Sequence, residues 1–215
     1  VSIDGCDATH DRHRGRDGTA DRAWAGLERL RSDTDIALNV YFVVTRHNVG
    51  ELPEVHDRAR ALGAGFDFWP VNGHPELGLE TAAERRSYRD ALDHVLAADP
   101  DREVHRPYYE YGLEYLAGRR DHVRCLGLAE QFGVDQQGRV VPCCVWGMEE
   151  FAVGNLADAP LAELLTSARA DHVRRSIVGE GCHDRCFNHS LYEFEQATGL
   201  PFVVQASGAV PGATR

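Results

Sequence analysis

Apolar positions in the first hundred residues switch between a strand rhythm and a helix rhythm. Val1-Ser2-Ile3-Asp4 alternates as a strand end does, and a loop rich in His, Asp, Arg and Gly follows as far as Gly18. Ala20, Ala23, Trp24, Leu27 and Leu30 then recur at helical spacing, with Thr19 placed to cap the helix. Ile36 to Thr45 (IALNVYFVVT) is a nearly continuous β-branched and aromatic run, which predicts a strand buried on both faces of a parallel sheet. Within it Asn39, Tyr41 and Thr45 share one face. Asn48, with Glu51 three residues on, opens a second helix that Gly63 closes. Phe66 to Val71 (FDFWPV) reads as a third strand, and Thr81-Ala82-Ala83-Glu84 as a capping box for a helix ending before Pro100.

Strand–helix repeats of this length imply right-handed parallel βα units. Three units do not close a barrel of about eight strands. The chain starts at Val1, inside an alternating run, so the expectation is a piece of a longer protein with the remaining units upstream.

Beyond residue 100 the pattern changes. Tyr108 to Leu116 predicts a connecting helix, with Tyr108, Tyr109 and Tyr111 on a packing face. Phe132 to Val141 predicts a β-hairpin around Gly138. Asp158 and Pro160 start a helix with Leu161, Leu164, Leu165 and Ala168 on one side. Ser190 to Glu193 is a further capping box, and Gly199-Leu200-Pro201 stops the helix it opens. The expected fold class is α/β: a partial (βα) barrel over residues 1–100, a connecting helix over 101–122, a small α+β cysteine-rich subdomain over 123–200 and a loose tail over 201–215.

Charge narrows the function. The net charge of −11 argues against nucleic acid or an anionic membrane surface as partner. All 23 basic residues are Arg, and without a lysine amine there is no Schiff base, pyridoxal phosphate anchor or P-loop. The sequence has no apolar run of about 18 residues and no basic-then-apolar leader, so the expected location is the cytoplasm.

Six cysteines carry the most chemistry, five of them from Cys125 onward: Cys125-x17-Cys143-Cys144, then Cys182-x3-Cys186. Without secretion signals a metal site is the better reading than a disulfide framework. Soft thiolates select zinc, copper(I) or iron–sulfur clusters. Four ligands come from Cys125, Cys182, Cys186 and one of the Cys143–Cys144 pair, because neighbours in a strand face opposite ways unless the strand ends at Pro142. Cys143 is chosen because Gly138 allows a turn that aims the strand end. Four thiolates suffice for one [4Fe–4S] cluster. A structural zinc on three of these Cys with His183 or His189 is the alternative, and buried cysteines acting as small hydrophobes are another. Cys6 has no partner nearby and reads as a loop or barrel residue. Nine of the 11 histidines, among them His10, His56 and His94, mostly neighbour Arg or Asp and read as solvated surface.

Cys125-x12-Gly138-x4-Cys143, a Gly154-Asn155-Leu156 turn into a helix, and the later Cys pair resemble the auxiliary-cluster extension of radical S-adenosylmethionine (SAM) enzymes, named SPASM or, when shorter, twitch. VSIDGCDATHDRHRG, then a helix, a strand with VVTRHN and a strand with FWPVN, resembles the fourth to sixth strands of the same family's barrel. The resemblance spans roughly residues 1–195. It departs from the family in lacking the CxxxCxxC motif that holds the SAM-cleaving cluster and the Gly-Gly-Glu motif of the second barrel strand. Five cysteines in the extension, with CxxxC where CxxC is common, imply one auxiliary cluster rather than two.

The resemblance implies that Ser2 and Asp4 contact the SAM ribose and that Arg14 pairs with the SAM carboxylate, a geometry suited to guanidinium. It implies cleavage of SAM at a second [4Fe–4S] cluster in the full-length protein and hydrogen abstraction from a peptide or small-molecule substrate. The reductant it implies is a ferredoxin or flavodoxin. The competing readings are a zinc-stabilised binding module and a thiol–disulfide protein using Cys182 and Cys186. For the latter, the spacing is one residue longer than the usual redox pair.

Overall fold

The computed structural model describes residues 1–118, 122–123, 127–129, 131–143, 149–179 and 203–204. The chain is mixed α/β and divides into two compact units, Val1–Arg119 and Arg120–Arg215.

In the first unit β1 (Asn39–Val44) pairs in parallel with β2 (Gly65–Pro70), in register from Asn39 opposite Gly65 to Val44 opposite Pro70. On the other side of β1 the opening segment also runs parallel. Ser2 bridges to Tyr41, the Tyr41 amide donates to the Val1 carbonyl, and the Ile3 amide donates to the Tyr41 carbonyl, both at 2.9 Å. Three parallel segments therefore lie side by side in chain order, with helices between them, as βα repeats require.

The strand run is not buried on both faces. Val40, Phe42, Val44, Phe66 and Phe68 are buried, whereas Tyr41, Val43, Asp67 and Trp69 are half-buried. The covered face meets helices: His56 of α3 (Leu52–Ala61) lies against Phe66, and Phe68 contacts both Tyr88 of α4 (Ala82–Ala98) and Tyr109 of α5 (Arg106–Leu116). On the other face Tyr41 packs on Trp69 with ring centroids 5.1 Å apart. Aromatic and β-branched residues there made the run look continuous without being core.

The loop expected before Gly18 contains a helix, α1 (Asp7–Arg14). It has no large apolar residue and is fixed by polar contacts instead. The Thr9 hydroxyl donates to Glu51 at 2.6 Å, and the helix ends at Gly15 in the left-handed conformation (φ 65°). Thr19 is not the cap of α2 (Thr19–Asp33). Its hydroxyl donates to Asp11 at 2.6 Å, and the Asp11 carboxylate accepts from the Ala20 amide at 2.9 Å and from the Gly18 amide. These donors hold the Asp11 carboxyl down to about 2, the Thr19 hydrogen bond most of all. Asn48 and Glu51 do not form a capping box either. A 3-10 turn over Val49–Glu51 precedes α3, and both side chains serve other partners. The capping box at Thr81 and Glu84 is present in full, with both reciprocal hydrogen bonds. Tyr108 and Tyr109 of α5 are buried, as a packing face requires.

Two histidines read as surface are core. His56 is 0% exposed, with Leu52, Val55 and Ala59 beside it on the buried stripe of α3, and burial lowers its pKa. His10 is 3% exposed and is lowered first by burial and then by Arg14. Their polar sequence neighbours lie on other faces of their helices.

In the second unit β3 (His122–Val123) pairs antiparallel with β7 (Val203–Val204), which falls in the stretch read as a loose tail. The hairpin forms from β4 (Gly133–Val134) and β5 (Arg139–Val141), and β6 (Gly154–Asn155), not foreseen, adds to β5. Gly138 turns the hairpin at φ 80°, while Asp135 accepts from the Gln137 and Arg139 amides, both at 2.9 Å. The helix expected from Pro160 is split into α6 (Leu161–Leu165) and α7 (Ala168–Gly179). Leu128, Val140, Val153, Leu164, Ala170, Val173 and Ile177 form the core here. The capping box at 190–193 lies outside the described residues.

Candidate functional site

The C-terminal ends of parallel strands are where βα folds build their sites. Here that end carries a polar knot. Asp4, 6% exposed, follows the first parallel segment. One of its carboxylate oxygens accepts from the Val43 amide at 3.0 Å, and the other pairs with Arg14 at 2.5 Å. Its backbone amide donates to His10 Nδ1 at 3.1 Å, so Nε2 carries the proton of the neutral ring. Asn48, 1% exposed, ties the layer together: Nδ2 donates to the carbonyls of Asp4 (3.0 Å) and Val43 (2.8 Å), and Oδ1 accepts from the Thr45 amide at 2.7 Å. Glu51 accepts from the Cys6 amide at 2.7 Å beside Thr9.

Of the three residues assigned to the cofactor, the fold brings Asp4 and Arg14 into contact and leaves Ser2 exposed. The Arg14 side chain is 42% exposed, whereas that of Asp4 is 9% exposed. The knot therefore presents guanidinium outward and keeps the carboxylate inside. His10 and Asn48 belong to it and were missed. Helical spacing from Cys6 to Gly15 and the acid-first, base-last order of Asp7 to Arg14 were the available signals for α1 and its His10. Nothing in the sequence marks Asn48 as a strand-end tie.

Burial and a hydrogen bond with Glu54 push the Cys6 thiol up to about 12. A thiol that resists ionisation is a poor metal ligand, in keeping with its reading as a structural residue.

Of the four expected cluster ligands, Cys143 is described. It is half-buried and follows Pro142. Cys125, Cys182 and Cys186 lie outside the described residues, as do Cys144, His183 and His189. Because β5 ends at Val141, strand alternation does not separate Cys143 from Cys144.

One residue close to Cys125 in sequence gave no signal there. Leu128, three positions after Cys125, holds φ +62°, a conformation that costs a branched side chain about 1–2 kcal/mol. Arg174 of α7 fixes it. Its Nε and Nη2 donate to the Leu128 carbonyl at 3.1 and 2.9 Å, and Nη2 also donates to the Leu165 carbonyl at 2.6 Å.

Comparison with known proteins bears on this second unit first. Residues 125–187 match SPASM, an iron–sulfur cluster-binding domain. The chain is also 27% identical, over 199 residues, to the AdoMet-dependent heme synthase of Methanosarcina barkeri (strain Fusaro / DSM 804). That match covers 78% of this chain and 53% of the relative, so the chain spans about half the length of the curated relative it matches. Among the described residues no helix is long and apolar enough to cross a membrane. The matched span, the relative and the cysteine spacing agree in what they liken the chain to: a SPASM iron–sulfur domain over residues 125–187 and an AdoMet-dependent enzyme over most of the chain.

Proposed function

We propose that this chain supplies the later βα units and the auxiliary cluster domain of an enzyme that modifies a peptide or small molecule by radical chemistry. The observation that carries this reading is the extent of the SPASM match. It begins at Cys125 and ends one residue past Cys186, and so encloses all four expected ligands. In this reading Cys125, Cys143, Cys182 and Cys186 hold one [4Fe–4S] cluster, with Cys144 the alternative to Cys143. The three parallel segments in chain order support a partial barrel.

When bound, the auxiliary cluster supplies one-electron chemistry, and SAM with a second [4Fe–4S] cluster in the full-length protein supplies the radical. The chain's own residues position and shield. Asp4 anchors Arg14 at the strand ends, where its outward guanidinium takes a carboxylate such as that of SAM, with Ser2 toward the ribose. The half-open sheet face with Tyr41 and Trp69 receives substrate. A ferredoxin or flavodoxin in the cytoplasm is the matching reductant, with no nucleic acid or membrane partner. A flat tetrapyrrole is a second substrate reading. It borrows the relative's name and is favoured by the Tyr41–Trp69 pair, which offers a stacking surface.

Anaerobic reconstitution of the 215-residue chain, followed by iron, sulfide and zinc analysis, tests the cluster. About four irons per chain, lost in Cys143→Ala made together with Cys144→Ala, is the expected result. One colourless zinc and no iron overturns it in favour of a zinc-stabilised module. The sequence holds no CxxxCxxC, so the reconstituted chain alone releases no deoxyadenosine from SAM. Clear turnover refutes that part.

A further inference from the structure

We propose that His56, Asp57 and His94 form a binding site for one divalent transition cation of the zinc type, on the α3–α4 side of the first unit and independent of the cysteines. The three residues converge from two helices: His56 and Asp57 are successive residues of α3, and His94 lies on α4. One ligand atom from each lies within 4.8 Å of the others. His94 Nε2 is 2.8 Å and His56 Nδ1 is 3.4 Å from the same oxygen, Asp57 Oδ1. Tetrahedral zinc with bonds of about 2.0–2.2 Å spaces its ligand atoms about 3.4 Å apart. His56 Nδ1 and Asp57 Oδ1 already stand at that spacing; a bound ion would open the His94–Asp57 contact by about 0.6 Å and set the two ring nitrogens, which lie within 4.8 Å of each other, at the same separation.

A second observation points to a cation rather than a hydrogen-bond network. His56 is 0% exposed, and its Nδ1 has no hydrogen-bond partner although it faces Asp57. The other ring nitrogen, Nε2, faces Asp99 at 3.5 Å. In the neutral ring a proton on Nε2 serves Asp99 and turns the Nδ1 lone pair toward a carboxylate oxygen, which is repulsive. A proton on Nδ1 does the same on the Asp99 side. A cation between Nδ1, Asp57 and His94 satisfies all three and leaves the Nε2 proton for Asp99. That order of carboxylate, histidine and metal is the one that orients histidine ligands generally. Asp99 is itself held by Arg60 at 3.5 Å and Arg102 at 3.6 Å, which keeps it outside the ligand set. Two imidazoles and one carboxylate, with a position left for water, suit zinc or a neighbouring divalent ion better than magnesium or calcium, which prefer all-oxygen shells.

The test compares the full chain with a double variant, Asp57→Asn with His94→Gln. Both positions are partly or fully exposed, so their replacement spares the core, and buried His56 is left alone. Zinc bound after equilibrium dialysis is measured for both chains. The readout is the difference between them, so zinc taken up by cysteines cancels whether or not the iron–sulfur reading holds. One equivalent more in the parent chain, with zinc raising the thermal midpoint of the parent more than that of the variant, is the expected result. Equal zinc content and equal midpoint shifts overturn the proposal. Cobalt(II) discriminates further: the parent-minus-variant absorption spectrum shows d–d bands without thiolate charge transfer, and a difference spectrum dominated by thiolate bands counts against the site.

Discussion

The two units are stabilised by different means. In Val1–Arg119 a sheet face of Val40, Phe42, Val44, Phe66 and Phe68 is sealed by helices that bring Trp24, Tyr88 and Tyr109 inside. In Arg120–Arg215 the described core is aliphatic and small, from Leu128 to Ile177, with strands of two or three residues. Sheets so short supply few ladder hydrogen bonds and little area. Among its described residues the second unit adds devices that need no large core: the Asp135 turn, the Arg174 clamp and, in the proposed reading, a cluster joining distant thiolates. In that reading the cluster contributes to the folding of the second unit alongside its apolar residues.

The largest expected effect tests that contrast directly. Removing iron from the reconstituted chain with a chelator is expected to abolish hydrogen-exchange protection in β4, β5, β6 and α7 and to leave β1, β2 and α4 protected. Metal ligation contributes on the order of 10 kcal/mol in small metal-folded domains. Exchange mass spectrometry reads both units at once. Equal loss in the two units, or none in either, breaks the comparison.

Next in size is a core truncation in the first unit. Phe68 is fully buried and stacks on Tyr109 at 4.5 Å with an interplanar angle of 12°, beside Tyr88. Phe68→Ala is expected to cost about 3–5 kcal/mol. Urea unfolding followed by circular dichroism measures it, with the β1–β2 amides losing protection first. A cost below about 1 kcal/mol would mean that the aromatic layer is not what holds this unit.

The same contrast explains what could be read from the sequence. β1 and β2 announce themselves by runs of β-branched and aromatic residues and α4 by its capping box, and residue type and short spacing both survive in a one-dimensional string. α1 does not, since Asp7 to Arg14 carries no large apolar residue and is fastened by hydrogen bonds to Asp4, just before it, and to Glu51, far along the chain. His56 was misjudged from its neighbours Asp57 and Arg58, although its spacing to Leu52 and Ala59 places it on the apolar stripe. The cysteine spacing pointed to the kind of centre, because ligand chemistry restricts residue type. The clamp on Leu128 leaves no such trace, because it acts on a backbone carbonyl, which every residue has. The break between α6 and α7 falls at Thr166-Ser167, where the Ser167 hydroxyl accepts from the Ala170 amide at 3.1 Å, a cap that the helical spacing of Leu161, Leu164, Leu165 and Ala168 masked.

That clamp gives an intermediate effect. Arg174→Ala removes the donors to Leu128 and Leu165 and is expected to cost about 2 kcal/mol, because charge-assisted hydrogen bonds to partly buried acceptors are worth more than neutral ones. Arg174→Lys should recover only part of this, since an ammonium lacks the planar fork. Denaturation of the reconstituted chain, with cluster absorbance as the probe, follows the second unit specifically. Loss of the clamp should shift that transition and not the far-ultraviolet transition of the first unit.

The smallest effect concerns a local signal that the fold reproduces. Thr81 accepts from the Glu84 amide at 3.1 Å, and Glu84 accepts from the Thr81 amide at 2.7 Å. Thr81→Ala removes the first bond and leaves the second, so α4 should lose about 1 kcal/mol. Glu84 is held below its ordinary pKa, chiefly by the Thr81 amide, and so it binds a proton less readily folded than unfolded. Its contribution is therefore present above the ordinary carboxylate value near 4.5 and disappears as pH falls through the lowered one. Thr81→Ala should shift the unfolding midpoint by the same amount at pH 7 and pH 5.5, whereas Glu84→Gln should flatten the stability profile below pH 4.5. If Thr81→Ala costs nothing, α4 is held entirely by the burial of Tyr88, Leu92 and Val95, and even the most legible local signal in the first unit is secondary to its core.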